Sequence, residues 1–361
     1  MSRSPAATRP VILLTCGDPA GIGPEVVCAA WAATPAHAVA RLRVVADPEV
    51  LAAALAGRRG IPVLSRVVVA ADDARDSRAD ELLVIPAAPG GIREADPAAP
   101  GDLAARGAAA AAAVTTATAL VRAGRAAALV TGPLHKEALR AAGHDAPGHT
   151  ELLARACGLP DDAASMMLWL PPAADGSGGL GVVHATLHEP LRAAVARLTT
   201  PGIVAAGRRL APLLEALLGR RPRIAVAALN PHGGEGGLFG DEEARLVAPA
   251  VAELRAAGLD VAGPLPADTL FLRASRGAFD GVVALYHDQG HIPIKLLGMH
   301  RAVNVTLGLP LVRTSVAHGT ALDIAGTGAA DPASMLAAIA AAVRLVAAGW
   351  PPASAARETA S

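Results

Sequence analysis

The sequence predicts an α/β protein with a substantial parallel sheet, on three observations. Short apolar runs alternate with longer helical patterns over most of the 361 residues. Polar and Gly-rich clusters recur directly after the apolar runs, at 17–25, 131–137, 230–240 and 286–295. Open α/β sheets bind ligands at such places, beyond the carboxyl ends of their strands. The chain is also 52% hydrophobic, mostly Ala with Val and Leu, which suits helices packed through small side chains. Its length exceeds what one core usually serves, so two domains are expected.

In order, Val11–Thr15 reads as a buried strand, followed by a Gly-rich turn and a helix with Pro24 in its first turn. Leu42–Ala46 and Glu81–Ala87 are further strands, with another inside Ile61–Ala70. Asp102 is placed to cap a long helix over Asp102–Ala123. Ala127–Val130 is a strand, and Met166–Leu170 and Gly181–Ala185 form a pair. Leu191–Leu218 reads as two helices broken near Pro201. A strand at Arg223–Leu229 precedes a helix over Asp241–Ala257, whose acidic first turn suits the helix dipole. Gly281–Tyr286, Val303–Thr306 and Leu311–Val316 are strands, Asp331–Ala348 is the last helix, and 351–361 is expected to be a disordered tail.

Composition excludes several classes. The formal net charge is zero, so no electrostatic footprint for nucleic acid or an anionic membrane is present. No strongly apolar run has membrane-spanning length, and the Ala-rich stretch 103–113 carries Arg106. The first ten residues lack the apolar core of a signal peptide. Three Cys without metal-site spacing fit a reduced, cytoplasmic setting.

The rarest residue types cluster. Tyr286 and Gln289 are the only Tyr and Gln, Lys136 and Lys295 the only Lys, and Asn230 and Asn304 the only Asn. All six fall in 131–137, 230–237 or 285–313. His287 and His291 share the spacing of a helical metal pair, but Gly290 and Pro293 argue for a loop after a strand. His287, flanked by Tyr286, Asp288 and Gln289, reads as functional, since a strand end is a costly place to bury polar groups without purpose. His232 lies among Gly233, Gly234, Gly236 and Gly237, whose freedom is lost on ordering; close approach of a ligand would justify that, and a mobile loop is the alternative. His188 precedes Glu189-Pro190, and His184 competes with it. Three imidazoles from separate strand ends plus an open position make a catalytic metal arrangement. Lys295, Asn304 and Arg313 suit a substrate bearing phosphate and carboxylate. His149-Thr150 fits either substrate binding or a helix start with Thr150 as N-cap. Gly17–Glu25 matches neither a Rossmann fingerprint nor a P-loop and reads first as strand-to-helix punctuation.

Seven ordered motifs resemble the 4-hydroxythreonine-4-phosphate dehydrogenase family. They are Gly17–Glu25, Thr131–Lys136, Gly148–Glu151, Asn230–Gly237, Gly263–Phe271, Tyr286–Gly290, and Asn304–Pro310 with Arg313. The likeness runs from about Val11 to Ala342. It implies a two-domain α/β/α fold like isocitrate and isopropylmalate dehydrogenases, with residues 1–145 and 305–350 as one domain and 146–304 as the other. It also implies a homodimer whose active site lies in the interdomain cleft and is shared between subunits. One divalent metal per subunit (Zn, Mg or Co) would be held by His188, His232 and His287. Substrate contacts map to His149, Thr150, Lys295, Asn304 and Arg313. The cofactor, NAD or NADP, maps to Gly263–Thr269, with Gly263 and Asp268 in contact. Lys295, partnered by Asp288, would assist proton transfer.

The implied reaction oxidises the 3-hydroxyl of 4-hydroxy-L-threonine 4-phosphate and then decarboxylates it, in pyridoxal phosphate biosynthesis. The segment Gly290–Lys295 is more similar to a sister branch acting on 4-phospho-D-threonate or 4-phospho-D-erythronate and giving dihydroxyacetone phosphate. Ala317 stands where the family usually has Asp, and Gly233 where it has Ala. A metal-dependent hydrolase or an acyl-phosphate transferase are the readings from other classes. A relative acting on terephthalate dihydrodiols would not need Arg313.

Overall fold

The computed structural model describes residues 9–62, 64–87, 102–146, 148–173 and 178–351. The expected tail lies outside these residues except for Pro351. The chain divides into two compact units, residues 1–165 with 308–361, and residues 166–307.

The first part of unit 1 runs β1 (Val11–Thr15), α1 (Gly23–Ala33), β2 (Arg41–Ala46), α2 (Pro48–Leu55), β3 (Ser65–Val68), β4 (Glu81–Pro86), α3 (Leu103–Arg122), β5 (Ala128–Thr131), α4 (Lys136–Ala141) and α5 (His149–Ala156). Asp102 caps α3 as expected, its Oδ1 accepting from Ala105 N at 2.9 Å. By length and composition α3 is apolar enough to cross a membrane, yet half of that stretch is buried inside the protein. It packs on β1, β2 and β5 and on α4 and α5. Gly107 makes the α4 crossing close, because a methyl there would strike the backbone of Ala138. Arg106 is not a stray charge on this helix: its guanidinium bonds Asp18 at 3.0 and 2.6 Å, with both side chains buried.

Unit 2 holds β6 (Ser165–Leu170), β7 (Leu180–His184), α6 (Leu191–Arg197), α7 (Thr200–Leu218), β8 (Arg223–Ala227), α8 (Ala248–Ala256), β9 (Asp260–Leu265), α9 (Ala267–Ser275), β10 (Gly281–Ala284), α10 (His287–Gly298) and β11 (Val303–Leu307). The break between α6 and α7 is where Pro201 predicts it, with Thr199 Oγ1 accepting from Gly202 N. Strand order is β11-β6-β7-β10-β8-β9. β6 and β7 are antiparallel, while β7, β10, β8 and β9 are successively parallel. Leu168, Val182, Leu270, Phe271, Val282 and Ile294 belong to the core that joins this sheet to α9 and α10.

The chain then returns to unit 1 with β12 (Val312–Val316) and α11 (Ala333–Ala347). The unit 1 strands lie in the order β3-β4-β2-β1-β5-β12, with every neighbouring pair parallel. Residues 146–165, expected in the second domain, sit in unit 1, where α5 packs on α3.

Helix α10 corrects the expected loop at His287–His291. Gly290 and Pro293 are poor helix formers, Pro by about 3 kcal/mol, but tertiary packing overrides them. Ile294 is fully buried, and Gly290 lets the helix lie directly on β7 and β10. Thr150 is likewise not an N-cap: α5 starts at His149 after Gly148, leaving Thr150 in its first turn. Strand β9 and helices α2, α4 and α9 have no counterpart among the elements expected from the sequence.

Candidate active site

In unit 2, parallel register sets Ala284 beside His184 and Val283 beside Val226, so β7, β10 and β8 end level. Side chains stitch the three exits together. Thr186 Oγ1 donates to Leu285 O at 2.8 Å. Gln289 is buried; its Oε1 accepts from Leu285 N and its Nε2 donates to Ala228 O, both at 2.7 Å. The single Gln of the chain is thus a structural clamp between two strand ends.

Four imidazoles gather there. His287 opens α10, and His291 lies one turn on, with ring centroids 3.7 Å apart and planes 11° apart. His184, the last residue of β7, is 4.6 Å from His291, and His188 is 5.6 Å from His287. His291 Nδ1 meets His184 Nε2 at 3.1 Å and His287 O at 3.2 Å. Burial is the main cause that lowers His184 to a pKa of about 3 and His291 to about 4, with repulsion between neighbouring rings adding to it. His287 is more open, and its Nδ1 donates to Asp288 Oδ1 at 2.6 Å. That bond turns Nε2 toward ligand duty, as carboxylate partners of metal-binding histidines do. Asp288 therefore serves His287, not Lys295. Exposed Lys295 follows His291 at the next turn of the same face, and its charge is felt by that ring. A cleft of about 490 Å³ is lined by His188, Glu189, Leu191, Tyr286, His287 and Asp288, among others.

His232 follows β8 on a left-handed turn. It has φ +53°, and Gly233, Gly234, Glu235 and Gly236 also have positive φ. The turn is anchored from behind by Glu243, whose Oε1 accepts from Leu229 N and Asn230 N at 2.8 and 2.7 Å. Burial alone would raise that carboxyl; hydrogen bonds, chiefly from Asn230, bring it below its ordinary value. The ring of His232 faces Phe239, 6.4 Å away. His188 also has positive φ, +47°. Such backbones cost about 1 kcal/mol or more in a non-Gly residue.

The donor set, imidazoles of which one has its Nδ1 tied to a carboxylate, suits a divalent cation. Among the described residues of one chain, however, no three His, Cys, Asp or Glu side chains converge closely enough to hold a metal. The structure brings His188 and His287 together, while His232 packs with Phe239.

Asn304, on β11, is half-buried, with Oδ1 sealed from solvent and lacking a hydrogen-bond partner; its Nδ2 reaches only Met166 Sδ at 4.0 Å. In unit 1, Arg313 of β12 is fully buried, and its Nε and Nη2 donate to Thr131 Oγ1 at 3.2 and 2.6 Å. Burial lowers its pKa to about 9, which leaves it charged at neutral pH. His149 is held neutral, well below its ordinary value, by burial and then by the charge of Arg313. Its Nε2 is buried without a partner. Arg313, Thr131 and His149 thus gather around the end of β5.

The remaining candidates have local explanations. Gly263 has φ +145°, and a methyl there would come within 2.7 Å of Val226 O, at an irregularity between β8 and β9. Asp268 is exposed in the first turn of α9, its Oδ1 accepting from Thr269 N. In the Gly17–Glu25 loop, methyls at Gly17 or Gly23 would strike Pro133 O or Cys16 O. Glu25 accepts from Arg58 Nη1 at 2.7 Å and Gly326 N at 2.6 Å, so this loop is a packing junction. Sequence reasoning undervalued His184 and Gly290. The signal was the repeated spacing His184/His188 and His287/His291, four residues in each case.

Comparison with known proteins identifies the family. Residues 38–342 match the family model described as pyridoxal phosphate biosynthetic protein PdxA. A "4-hydroxythreonine-4-phosphate dehydrogenase" of Geobacter metallireducens is 46% identical over 335 residues, covering 92% of this chain and 94% of the relative. A "D-threonate 4-phosphate dehydrogenase" of Cupriavidus necator is 45% identical over 335 residues, covering 91% and 95%. The crystal structure of 4-hydroxythreonine-4-phosphate dehydrogenase from Klebsiella pneumoniae is 42% identical with a TM-score of 0.78, covering 95% of this chain and 99% of that one. The chain belongs to the PdxA family and is an enzyme of its dehydrogenase type.

Proposed function

We propose that this protein oxidises the 3-hydroxyl of a 4-phosphorylated hydroxy acid with a nicotinamide cofactor and then releases the carboxyl group as carbon dioxide. The substrate we favour is 4-hydroxy-L-threonine 4-phosphate, the reaction named for the Geobacter relative. D-threonate 4-phosphate is the second reading, favoured by His291 in the segment Gly290–Lys295 and by the nearly equal likeness to the Cupriavidus enzyme. The observation that carries the proposal is the pairing of His188 with His287, whose Nδ1 is fixed by Asp288, at adjacent parallel strand ends.

His188, His232 and His287 would hold the cation, with ligands drawn from two copies of the chain. Ile292, Leu296 and Met299 leave exposed apolar surface on and just after α10, which suits a homodimer contact close to His287. A bound divalent cation supplies Lewis acidity, which lowers the pKa of the substrate hydroxyl and stabilises the enolate left by decarboxylation. Arg313 presents a buried guanidinium for the phosphate, and His149 and Thr150 add neutral polar groups. Asn304 offers an acceptor to a substrate hydroxyl or amine. Lys295 assists substrate binding or proton transfer. The nicotinamide cofactor is assigned to Gly263–Thr269, with Asp268 as its polar contact. Three buried free thiols fit a cytoplasmic setting.

The test is parallel turnover of 4-hydroxy-L-threonine 4-phosphate, D-threonate 4-phosphate and D-erythronate 4-phosphate, with NAD and NADP, in the presence of zinc, magnesium or cobalt. Nicotinamide reduction with matched carbon dioxide release is expected for at least one substrate. Absence of reduction with all three refutes the reading, and a hydrolase would give none.

A further inference from the structure

We propose that His291, braced by His184, is a positioning residue that fixes the ring of His287 for metal binding. The inference rests on His287 being a metal ligand, and it adds two residues to that site. A histidine ring has two soft torsions. At His287 the bond from Nδ1 to Asp288 Oδ1 settles the rotation of the ring about its own axis. The flat face of His291, 3.7 Å away and within 11° of parallel, blocks the ring from swinging along the helix.

His291 is itself held. Its Nδ1 lies 3.2 Å from the carbonyl oxygen of His287. The same atom meets His184 Nε2 at 3.1 Å, and His184 bonds the same carbonyl, with its own Nδ1 on the far side of the ring. That Nδ1 is buried without a partner. A buried polar atom left unsatisfied is destabilising, so folding stability alone gives no reason for His at 184.

Gly290 completes the brace. A methyl there would strike His184 Nε2 and lie 2.6 Å from Val182 Cγ1, so the absent side chain is what lets His184 reach His291. Gly290 and His184 thus set His291 against His287, whose one side-chain hydrogen-bond partner among the described residues is its neighbour Asp288. Groups that orient a metal-binding histidine from outside the coordination sphere typically contribute on the order of 10–100-fold in metal affinity.

The experiment uses the full chain in its native oligomer, stripped of metal and titrated with zinc alone against a competing fluorescent chelator. Apo thermal stability is recorded in parallel. His287→Ala is expected to abolish tight zinc binding. His291→Leu, which keeps side-chain bulk so that the helix still packs, is expected to weaken zinc binding about tenfold or more. His291→Phe, which restores a flat ring, is expected to bind zinc more tightly than His291→Leu. The proposal is overturned if His291→Leu binds zinc like the wild type while His287→Ala does not, whatever its thermal stability, or if Phe is no better than Leu. If His287→Ala itself binds zinc like the wild type, the metal-ligand reading fails, and that result is distinct from the other two.

Discussion

Gly290→Ala separates a packing glycine from an ordinary helix glycine by the sign of its effect. In a solvent-facing helix, Gly to Ala stabilises by about 1 kcal/mol. At Gly290 the new methyl would stand 2.6 Å from Val182 Cγ1 and 3.0 Å from Ala284 Cβ, and would collide with His184 Nε2. Carbon pairs rest at about 3.5–4.0 Å. Helix α10 would therefore have to lift by roughly 1 Å, because Val182 and Ala284 are fully buried on central strands and have nowhere to go. Overpacking of this kind costs about 1–3 kcal/mol, and three contacts at 3.0 Å or less put Gly290 in the upper part of that range, above the propensity gain. A net loss of about 1–2 kcal/mol corresponds to a Tm lower by roughly 2–8 °C for a domain of this size. Thermal scans of the full chain, with urea midpoints alongside, measure it. An unchanged or raised Tm would show that α10 is not pressed against the sheet as described, and the brace on His287 would lose its geometric basis.

Two further outcomes follow from buried charge. Arg106→Leu leaves the Asp18 carboxylate buried without its guanidinium and should cost about 3–5 kcal/mol, read as a fall in the urea midpoint. Adding Asp18→Asn should recover most of that loss, and failure to recover would mean that Arg106 acts through packing instead. His149 supplies a pH signature in unit 1. Burial keeps its folded pKa well below 6.5, so the unfolded chain binds more protons between the two values. Its contribution to stability is full above about pH 6.5 and is lost as acid carries the pH down toward the folded value. Urea midpoints of wild type should fall through that window more steeply than those of His149→Phe, and parallel curves would contradict a buried neutral ring.

Much of this architecture is legible because buried parallel strands announce themselves. Val11–Thr15, Arg223–Ala227 and Gly281–Ala284 are apolar runs that end in polar clusters; the last two clusters carry His232 and His287, and the first is a packing junction. What stays hidden is set by tertiary contact. Gly290 and Pro293 carry local preferences against helix, and only the sheet beneath α10 makes Gly an advantage there. The family resemblance, not spacing, selects His188 over His184; the structure then makes both useful, since β7 and β10 are in register and His184 meets His291. Gln289 stands out by rarity and proves to be a clamp, because nothing in a sequence reveals that Leu285 N and Ala228 O need partners.

The least legible feature is the most informative about function. Four non-glycine residues among those described have positive φ, namely His188, His232, Glu235 and Ala321. Two of the four are proposed metal ligands, and Glu235 shares the turn of His232. A left-handed backbone at histidine brings no intrinsic gain and costs about 1 kcal/mol or more at each position. Glycine would relieve that cost, and glycine is abundant on both sides of His232. The chain thus uses glycine at positions 233, 234, 236 and 237 and keeps an imidazole at 232, where the same backbone is strained. Strain persists only where the side chain is required or the surroundings over-determine the backbone. At His232 the side chain is exposed and the anchor, Glu243, holds residues 229 and 230 instead of His232, which supports the required imidazole proposed above.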